Sequence, residues 1–482
     1  MFFAALQFTT WAYLLAVTNV HPYFTNLERI KLERLQITET PGPVILIVVD
    51  ALRPDRLNAY GFQQPTSPNL KLLADDGVLF TNYFVNANWT RPSTTSLLTG
   101  LYPAQHGVEK DKSKLSESFE TLAEMLQKKG IKTAAVVGNG NASSTFGLHQ
   151  GFDFYLDTKK KWQGLPRAKQ VLDDAWVFVE KNSDKPFFLF VFLVDPHDPY
   201  HAPEPYETMF VSDPQVKLVR TPHWEKAQYS AAEIQRMQET YDGAVRYTDT
   251  MLGEFFDKLK AKNLYQKSNI FVTADHGEAF GEHGVFLHSH HLYDEILRAP
   301  FIYKPQDQAL LASERGGFFD GLVQSVDVVP TILDLFFGSS PNYLLGTSLL
   351  KFLNHSQQAN DRVIFAEFHN FGIHRLMART ATRKLILEKP AQLAEFMATI
   401  GNPSLLPSVQ FEREIVRSFA IGSDAFEKQP VDAYAIKNDQ NWMLLKEQLD
   451  NYNRLHRQTA EHLVQHYDPE TYKNLKALGY IQ

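Results

Sequence analysis

Two stretches of this chain, Val44 to Val49 and Phe187 to Val194, are apolar without interruption, and a third, Asn269 to Thr273, is nearly so. A strand with one wet face alternates in polarity, whereas one apolar throughout is covered on both faces, as in parallel sheets flanked by helices. Helical patterns lie between such runs. Phe119, Leu122, Met125 and Leu126 recur at helical spacing and end at Gly130, before a strand at Thr133 to Val137. A second helix is predicted over Ala168 to Glu180 and a third over about Ala231 to Ala261, each followed by one of the apolar strands. Near-alternation of this kind predicts a three-layer α/β domain with a mainly parallel sheet.

The pattern changes after about Leu350. Residues 361–388 read as short strands without intervening helices, 389–440 carry no clear pattern, and 441–465 read as an amphipathic helix with Trp442, Leu445, Leu449 and Tyr452 on its packed face. We therefore divide the chain into an apolar N-terminal segment and linker (1–38), an α/β domain (39–355) and a smaller C-terminal α+β region (356–482). No charged side chain precedes Glu28, and Met1 to Val20 has about the length a membrane helix requires. A membrane-associated segment is the expectation, with a cleaved signal or a buried helix as alternatives. Arg29, Lys31 and Arg34 would bias the following domain toward the cytoplasm, although Glu28 and Glu33 dilute that bias.

Of the 482 residues 44% are apolar, enough for a large core. A net charge of −7 argues against nucleic acid as a partner, since nucleic-acid binders show a basic footprint. Attraction for an anionic substrate must then be local. The absence of cysteine excludes disulfides, a thiolate nucleophile and thiolate-bound metals.

The chemistry is expected at the carboxyl ends of the parallel strands. Asp50 follows the first apolar run, and Asp275 and His276 follow the third. Thr90 opens a short helical pattern that contains Pro92, Ser93, Leu97 and Leu98 and ends at Gly100. A hydroxyl at a helix N-terminus beside a divalent cation is well placed to become a nucleophile. An aspartate at such a position also caps helices, so position alone leaves Asp50 open between ligand and cap. The pattern as a whole reads as an enzyme that attacks an anionic ester.

Further candidates surround this set. His197 follows a strand end in a prolyl loop and is read as contacting the ester or its leaving group, with a structural role as the alternative. In the cluster His288-Ser-His-His291, His290 is the candidate proton donor, or ligand of a second cation, and His288 a candidate substrate contact; a solvated loop is the plain alternative. Arg91 is the nearest cation for an anionic oxygen, or a surface arginine at a helix start. Asn139 contacts a substrate oxygen or closes an Asx-turn. His106 and His283 each precede a glycine and are as readily turn residues as ligands.

The stretch Thr90-Arg-Pro-Ser-Thr-Thr-Ser-Leu-Leu-Thr-Gly100, with Leu-Tyr-Pro-Ala-Gln-His-Gly107 after it, resembles the signature of the sulfatase family within the alkaline phosphatase superfamily. Val48-Val49-Asp50 with Arg53 and Asp55, Asp195-Pro-His197, Thr273 to Glu278 with Gly281 to Gly284, and Val326 to Thr331 agree in order. The ending Leu475 to Ile481 is also similar. The resemblance implies an alkaline-phosphatase-like fold and an extracytoplasmic hydrolase. This chain departs from the family pattern where sulfatases carry a Cys or Ser that is oxidised to formylglycine. Thr90 cannot follow that route, because its methyl group would make the product a ketone. Thr94 replaces the family's arginine, Ala51 its second aspartate, and Gly138-Asn-Gly-Asn141 lacks the Lys and His that grip sulfate.

What survives resembles the threonine-nucleophile branch, which includes lipoteichoic acid synthases and phosphoethanolamine transferases. That resemblance implies one divalent metal ion (Zn²⁺, Mn²⁺, Mg²⁺ or Ca²⁺) held by Asp50, Thr90, Asp275 and His276. It implies attack by Thr90 on a phosphoric ester, such as one in a lipid or polysaccharide, with release to water or an alcohol. A sulfuric ester hydrolase without formylglycine, and a catalytically silent binding protein of the same fold, are the competing expectations.

Overall fold

The computed structural model describes residues 41–158, 167–219, 229–306, 317–354, 362–390, 415–421, 424, 427–431 and 438–465. The apolar segment before Thr38 and the ending Leu475 to Ile481 lie outside the described residues. No helix among the described residues is long and apolar enough to cross a membrane.

Nine strands form the main sheet: β1 (Val44–Val49), β2 (Val78–Phe84), β3 (Lys132–Val137), β4 (Phe154–Asp157), β5 (Phe187–Leu193), β6 (Asn269–Thr273), β9 (Arg298–Lys304), β10 (Gly317–Phe319) and β11 (Val323–Gln324). A hairpin of β7 (Ala279–Phe280) and β8 (Phe286–Leu287) lies outside it. The order is β10-β2-β9-β6-β1-β5-β3-β4, with β11 also on β2. Only β9 runs against its neighbours β2 and β6; the other pairings are parallel. The uninterrupted apolar runs explain this placement. β1 and β5, buried at every position, lie at the centre with β6 beside them, Ile45 being level with Leu189 on one side and Ile270 on the other.

The helices cover both faces. Helix α1 (Thr90–Thr99) is buried along its whole length, α2 (Ala168–Lys181) precedes β5, and α3 (Ala231–Ala261) precedes β6. Ser230 caps α3, accepting a 3.2 Å bond from the Glu233 amide while Glu233 accepts one from the Ser230 amide, which satisfies two end donors at once. Because each crossover brings the chain back to the same sheet end, Asp50, Asp195 and Asp275 all emerge at the carboxyl edge.

The C-terminal region forms an antiparallel sheet of β12 (Ile364–Asn370), β13 (Ile373–Arg379), β14 (Lys384–Lys389) and β15 (Ile415–Phe419). Ile364, Ala366 and Phe368 join the main core, while Leu376, Ala378, Leu385 and Leu387 pack under helix α4 (Gln440–Gln465) through Trp442, Leu445, Leu449 and Tyr452. The small sheet is thus fastened to the catalytic layers on one face and to α4 on the other. β15 falls in the stretch without a readable pattern, since five residues with Arg417 in the middle give too short an apolar signal.

Candidate active site

Three chain segments meet beyond the carboxyl ends of β1 and β6. Asp50 leaves β1, Asp275 and His276 leave β6, and Thr90 occupies the first turn of α1. The His276 Nε2 lies 3.5 Å from Asp50 Oδ1, 3.3 Å from Asp275 Oδ2 and 3.4 Å from Thr90 Oγ1. All four residues are buried.

Local backbone features hold this geometry. Ala51 adopts φ 56°, a left-handed conformation unusual for a residue with a side chain. Its N–H donates to Asp275 Oδ1 at 3.3 Å and its carbonyl accepts from the Tyr241 hydroxyl at 2.8 Å. Strain at such a point persists only where its surroundings enforce it. The His276 amide also donates to Asp275 Oδ1, and Ser93 Oγ donates to the Asp275 carbonyl.

The atoms that face one another across this group are those a cation would take. Asp50 Oδ1 and Asp275 Oδ2 are buried without a hydrogen-bond partner. His276 Nδ1 lies 2.8 Å from the Gly277 carbonyl, which fixes the proton there and leaves a lone pair on Nε2. Two oxygens and one imidazole nitrogen, all within 4.8 Å of one another, form a donor set that suits a divalent ion. Without a cation the carboxylates are under stress: burial pushes Asp50 up to about 6, and burial with the Asp50 charge pushes Asp275 up to about 7. Burial lowers His276 to about 3, so its ring is neutral.

The other histidines divide. His197 Nδ1 lies 2.9 Å from Asp198 Oδ1; burial opposes protonation, but Asp50, Asp198 and Glu278 outweigh it and raise the pKa well above the usual range. His288 stacks on the His276 ring at 4.2 Å between centroids, and its Nδ1 lies 3.1 Å from Glu278 Oε1. The His197 and His288 rings meet edge to face at 4.9 Å. The His290 ring packs by Phe368 and Phe371, and burial, aided by Arg375, lowers it to about 3. His106 is a turn residue, Nε2 on Ser96 and Nδ1 accepting from the Val108 amide, and His283 pairs with Glu295.

Arg91 is not the exposed cation it resembled in the sequence. Its side chain is 3% exposed, Nη1 donates to the Asp111 and Ser113 carbonyls, Nη2 to Asn141 Oδ1, and Phe146 covers the guanidinium at 3.4 Å. Asn139 Oδ1 accepts from the Asn141 amide, closing an Asx-type turn, while its Nδ2 donates to Asp50 Oδ2. Glu278 and Asp198, the carboxylates that hold the two histidines, were not singled out from the sequence. Both lie in the motif segments, Glu278 two positions after His276 and Asp198 directly after His197, and that adjacency was the available signal.

Known proteins share this architecture. Residues 43–339 match the family model described as Sulfatase. The chain is 26% identical over 407 residues to the multifunctional alkaline phosphatase superfamily protein PehA of Trinickia caryophylli, covering 66% of this chain and 78% of that protein. It is 25% identical to the ulvan-active sulfatase of Formosa agariphila, over 70% of this chain and 69% of that one. The structure of the phosphonate monoester hydrolase of Agrobacterium radiobacter superposes with a TM-score of 0.68 at 21% identity, covering 86% of this chain and 96% of the other. With the matched region spanning most of the chain and containing the whole Asp50–Thr90–Asp275–His276 group, this protein belongs to the sulfatase family of the alkaline phosphatase superfamily and is a hydrolase-type enzyme of sulfuric or phosphoric esters.

Proposed function

We propose that the chain cleaves phosphoric esters of the phosphodiester or lipid-head-group type, with Thr90 as nucleophile and Asp50, Asp275, His276 and Thr90 holding one divalent cation. The observation that carries the reading is Thr90 Oγ1, buried at a helix N-terminus 3.4 Å from His276 Nε2, where the family places its formylglycine precursor. A bound cation would supply a lowered pKa for the Thr90 hydroxyl and polarisation of the ester oxygen.

The chain's own groups account for the remainder. Thr90 gives up its hydroxyl proton to solvent as Oγ forms a bond to phosphorus and the bond to the leaving oxygen breaks, giving a phosphothreonine; water or an alcohol then attacks that phosphorus, losing its proton, and the Oγ–phosphorus bond breaks to return the hydroxyl. The N-terminus of α1 favours the negative charge that gathers there. His197, held by Asp198, supplies the proton to the leaving oxygen. His288, oriented by Glu278, faces the ester, and His290 packs behind it. Residues 39–355 carry this chemistry; 356–482 support it. Membrane association through the N-terminal segment and an extracytoplasmic active site belong to the same reading.

Sulfuric ester hydrolysis is the second reading, favoured by the likeness to the ulvan-active sulfatase. Against it, the chain has no Lys–His pair after β3, and the Asn139 and Asn141 side chains that stand there turn toward Asp50 and Arg91. Steady-state rates on phosphate monoesters, phosphodiesters and sulfate esters with one shared leaving group decide between them. A clear preference for sulfate would reverse the order.

A further inference from the structure

β3 ends at Val137, and the chain turns at Asn139 into a short 3-10 turn. From there a chain of hydrogen bonds, one of them through the Asn141 backbone amide, leads to the residue after Thr90. Asn139 Nδ2 donates to Asp50 Oδ2, and Asn139 Oδ1 accepts from the Asn141 amide at 2.7 Å. Asn141 Oδ1 accepts from Arg91 Nη2 at 2.9 Å. Arg91 is the residue after Thr90, and its Nη1 donates to carbonyls of the 110–113 loop.

We infer that Asn139, Asn141 and Arg91 are a positioning relay for the cation site rather than contacts for the substrate. A carboxylate can rotate about its last torsion, and a donor fixed on one oxygen decides where the other points. Here Oδ2 is engaged and Oδ1 is left facing His276 Nε2. An amide donates without charge at every pH, so it orients Asp50 without a cation's competition for the same carboxylate. Through Asn141 the orientation of Asp50 is linked to Arg91, whose guanidinium fixes the start of α1 and hence Thr90. Arg91 is buried and covered by Phe146, with Nη1 on loop carbonyls and Nη2 on Asn141, so its terminal nitrogens are engaged away from an anionic ester.

The inference rests on Asp50, Asp275 and His276 holding a cation, and its test separates the two claims. Mn²⁺ alone is titrated into wild type, Asn139→Ala, Asn139→Ser and Asn141→Ala, with free Mn²⁺ read by electron paramagnetic resonance and folding checked by thermal melts. Loss of a side chain that orients a metal ligand typically weakens metal binding by ~10–100-fold. That rise in Kd is expected for Asn139→Ala, with an intermediate rise for Asn139→Ser and a smaller rise for Asn141→Ala. KM for the best phosphodiester at saturating Mn²⁺ should be unchanged. An unchanged Kd in Asn139→Ala with a raised KM would make Asn139 a substrate contact and overturn the inference. A lowered melting temperature with unchanged Kd would make it scaffold alone, which overturns the inference equally. An unchanged Kd in Asn141→Ala removes Asn141 and Arg91 from the relay. Failure of the wild type to bind Mn²⁺ would instead overturn the cation site itself.

Discussion

Two buried clusters of carboxylates in this molecule solve the same electrostatic problem in opposite ways. At the junction with the small sheet, Asp294 is bonded to Arg379 and lies 2.7 Å from Lys384 Nζ, which also pairs with Glu427 at 2.6 Å. Two acids meet two cations there. Burial opposes ionisation of Asp294, yet Arg379 and Lys384 hold its carboxyl well below the usual range. At the carboxyl edge of β1 and β6, Asp50 and Asp275 meet no lysine or arginine within ion-pair distance among the described residues, and burial raises both. A buried unpaired charge costs several kcal/mol. The chain supplies lysine and arginine to one cluster and none to the other, the arrangement expected if the second is to bind a cation from outside; even in the first, burial and Asp294 leave Glu427 raised to about 7.

The largest expected effect tests the nucleophile. Thr90→Ala should lower kcat by several orders of magnitude with a much smaller change in KM. It should only weaken metal binding, because three protein ligands remain. Thr90→Ser should keep substantial activity, since the hydroxyl stays while the loss of the methyl loosens its rotamer. Activity of Thr90→Ala like that of the parent would reduce Thr90 to a ligand.

Next in size is the paired cluster. Lys384→Met leaves Asp294 with Arg379 alone and takes from Glu427 its lysine partner, and breaking a buried pair in this way costs ~3–5 kcal/mol. Denaturant unfolding should show that loss, and added Mn²⁺ should not restore it. Removal of metal from wild type by a chelator should abolish turnover and lower the melting temperature. A ligand at 100 times its Kd stabilises by about 2.7 kcal/mol, and added Mn²⁺ should return that stability.

The smallest effects carry the clearest contrast in sign. In the metal-free protein, Asp50→Asn removes a carboxylate that burial disfavours and should stabilise, whereas Asp294→Asn removes a paired one and should destabilise. The pH dependence follows. Asp50 and Asp275 have folded pKa values raised to about 6 and 7, so their neutral forms are favoured on folding. Their contribution to metal-free stability should therefore fall as pH rises from the unfolded carboxylate value near ~4 through about 7. Asp294 has a lowered folded pKa, so its contribution is present above that unfolded value and is lost as pH falls toward and below it. Melts of wild type, Asp50→Asn and Asp294→Asn across this range, with chelator present, would separate the two slopes.

The sequence was most legible where one period or one motif dictated the outcome. β1 and β5 announced a doubly covered sheet because every residue was apolar, and the acidic residue after each marked the sheet edge. The ligand candidates followed from that edge, which is why the meeting of Asp50, Asp275 and His276 was readable before their distances were known. Arg91 and Asn139 read as substrate contacts for a physical reason: their partners lie in distant segments, 110–113 and Asp50, that no local pattern connects. Asp294, Arg379, Lys384 and Glu427 were invisible for the same reason. Ion pairs between β13, β14 and the turn before β9 leave no periodicity to read.

The stereochemical course at phosphorus tests the central claim most directly, using the preferred phosphodiester made chiral with oxygen isotopes. Attack by Thr90 followed by release from phosphothreonine is two in-line displacements, and the product should show net retention. Net inversion would mean a single displacement by water, and Thr90 would not be the nucleophile.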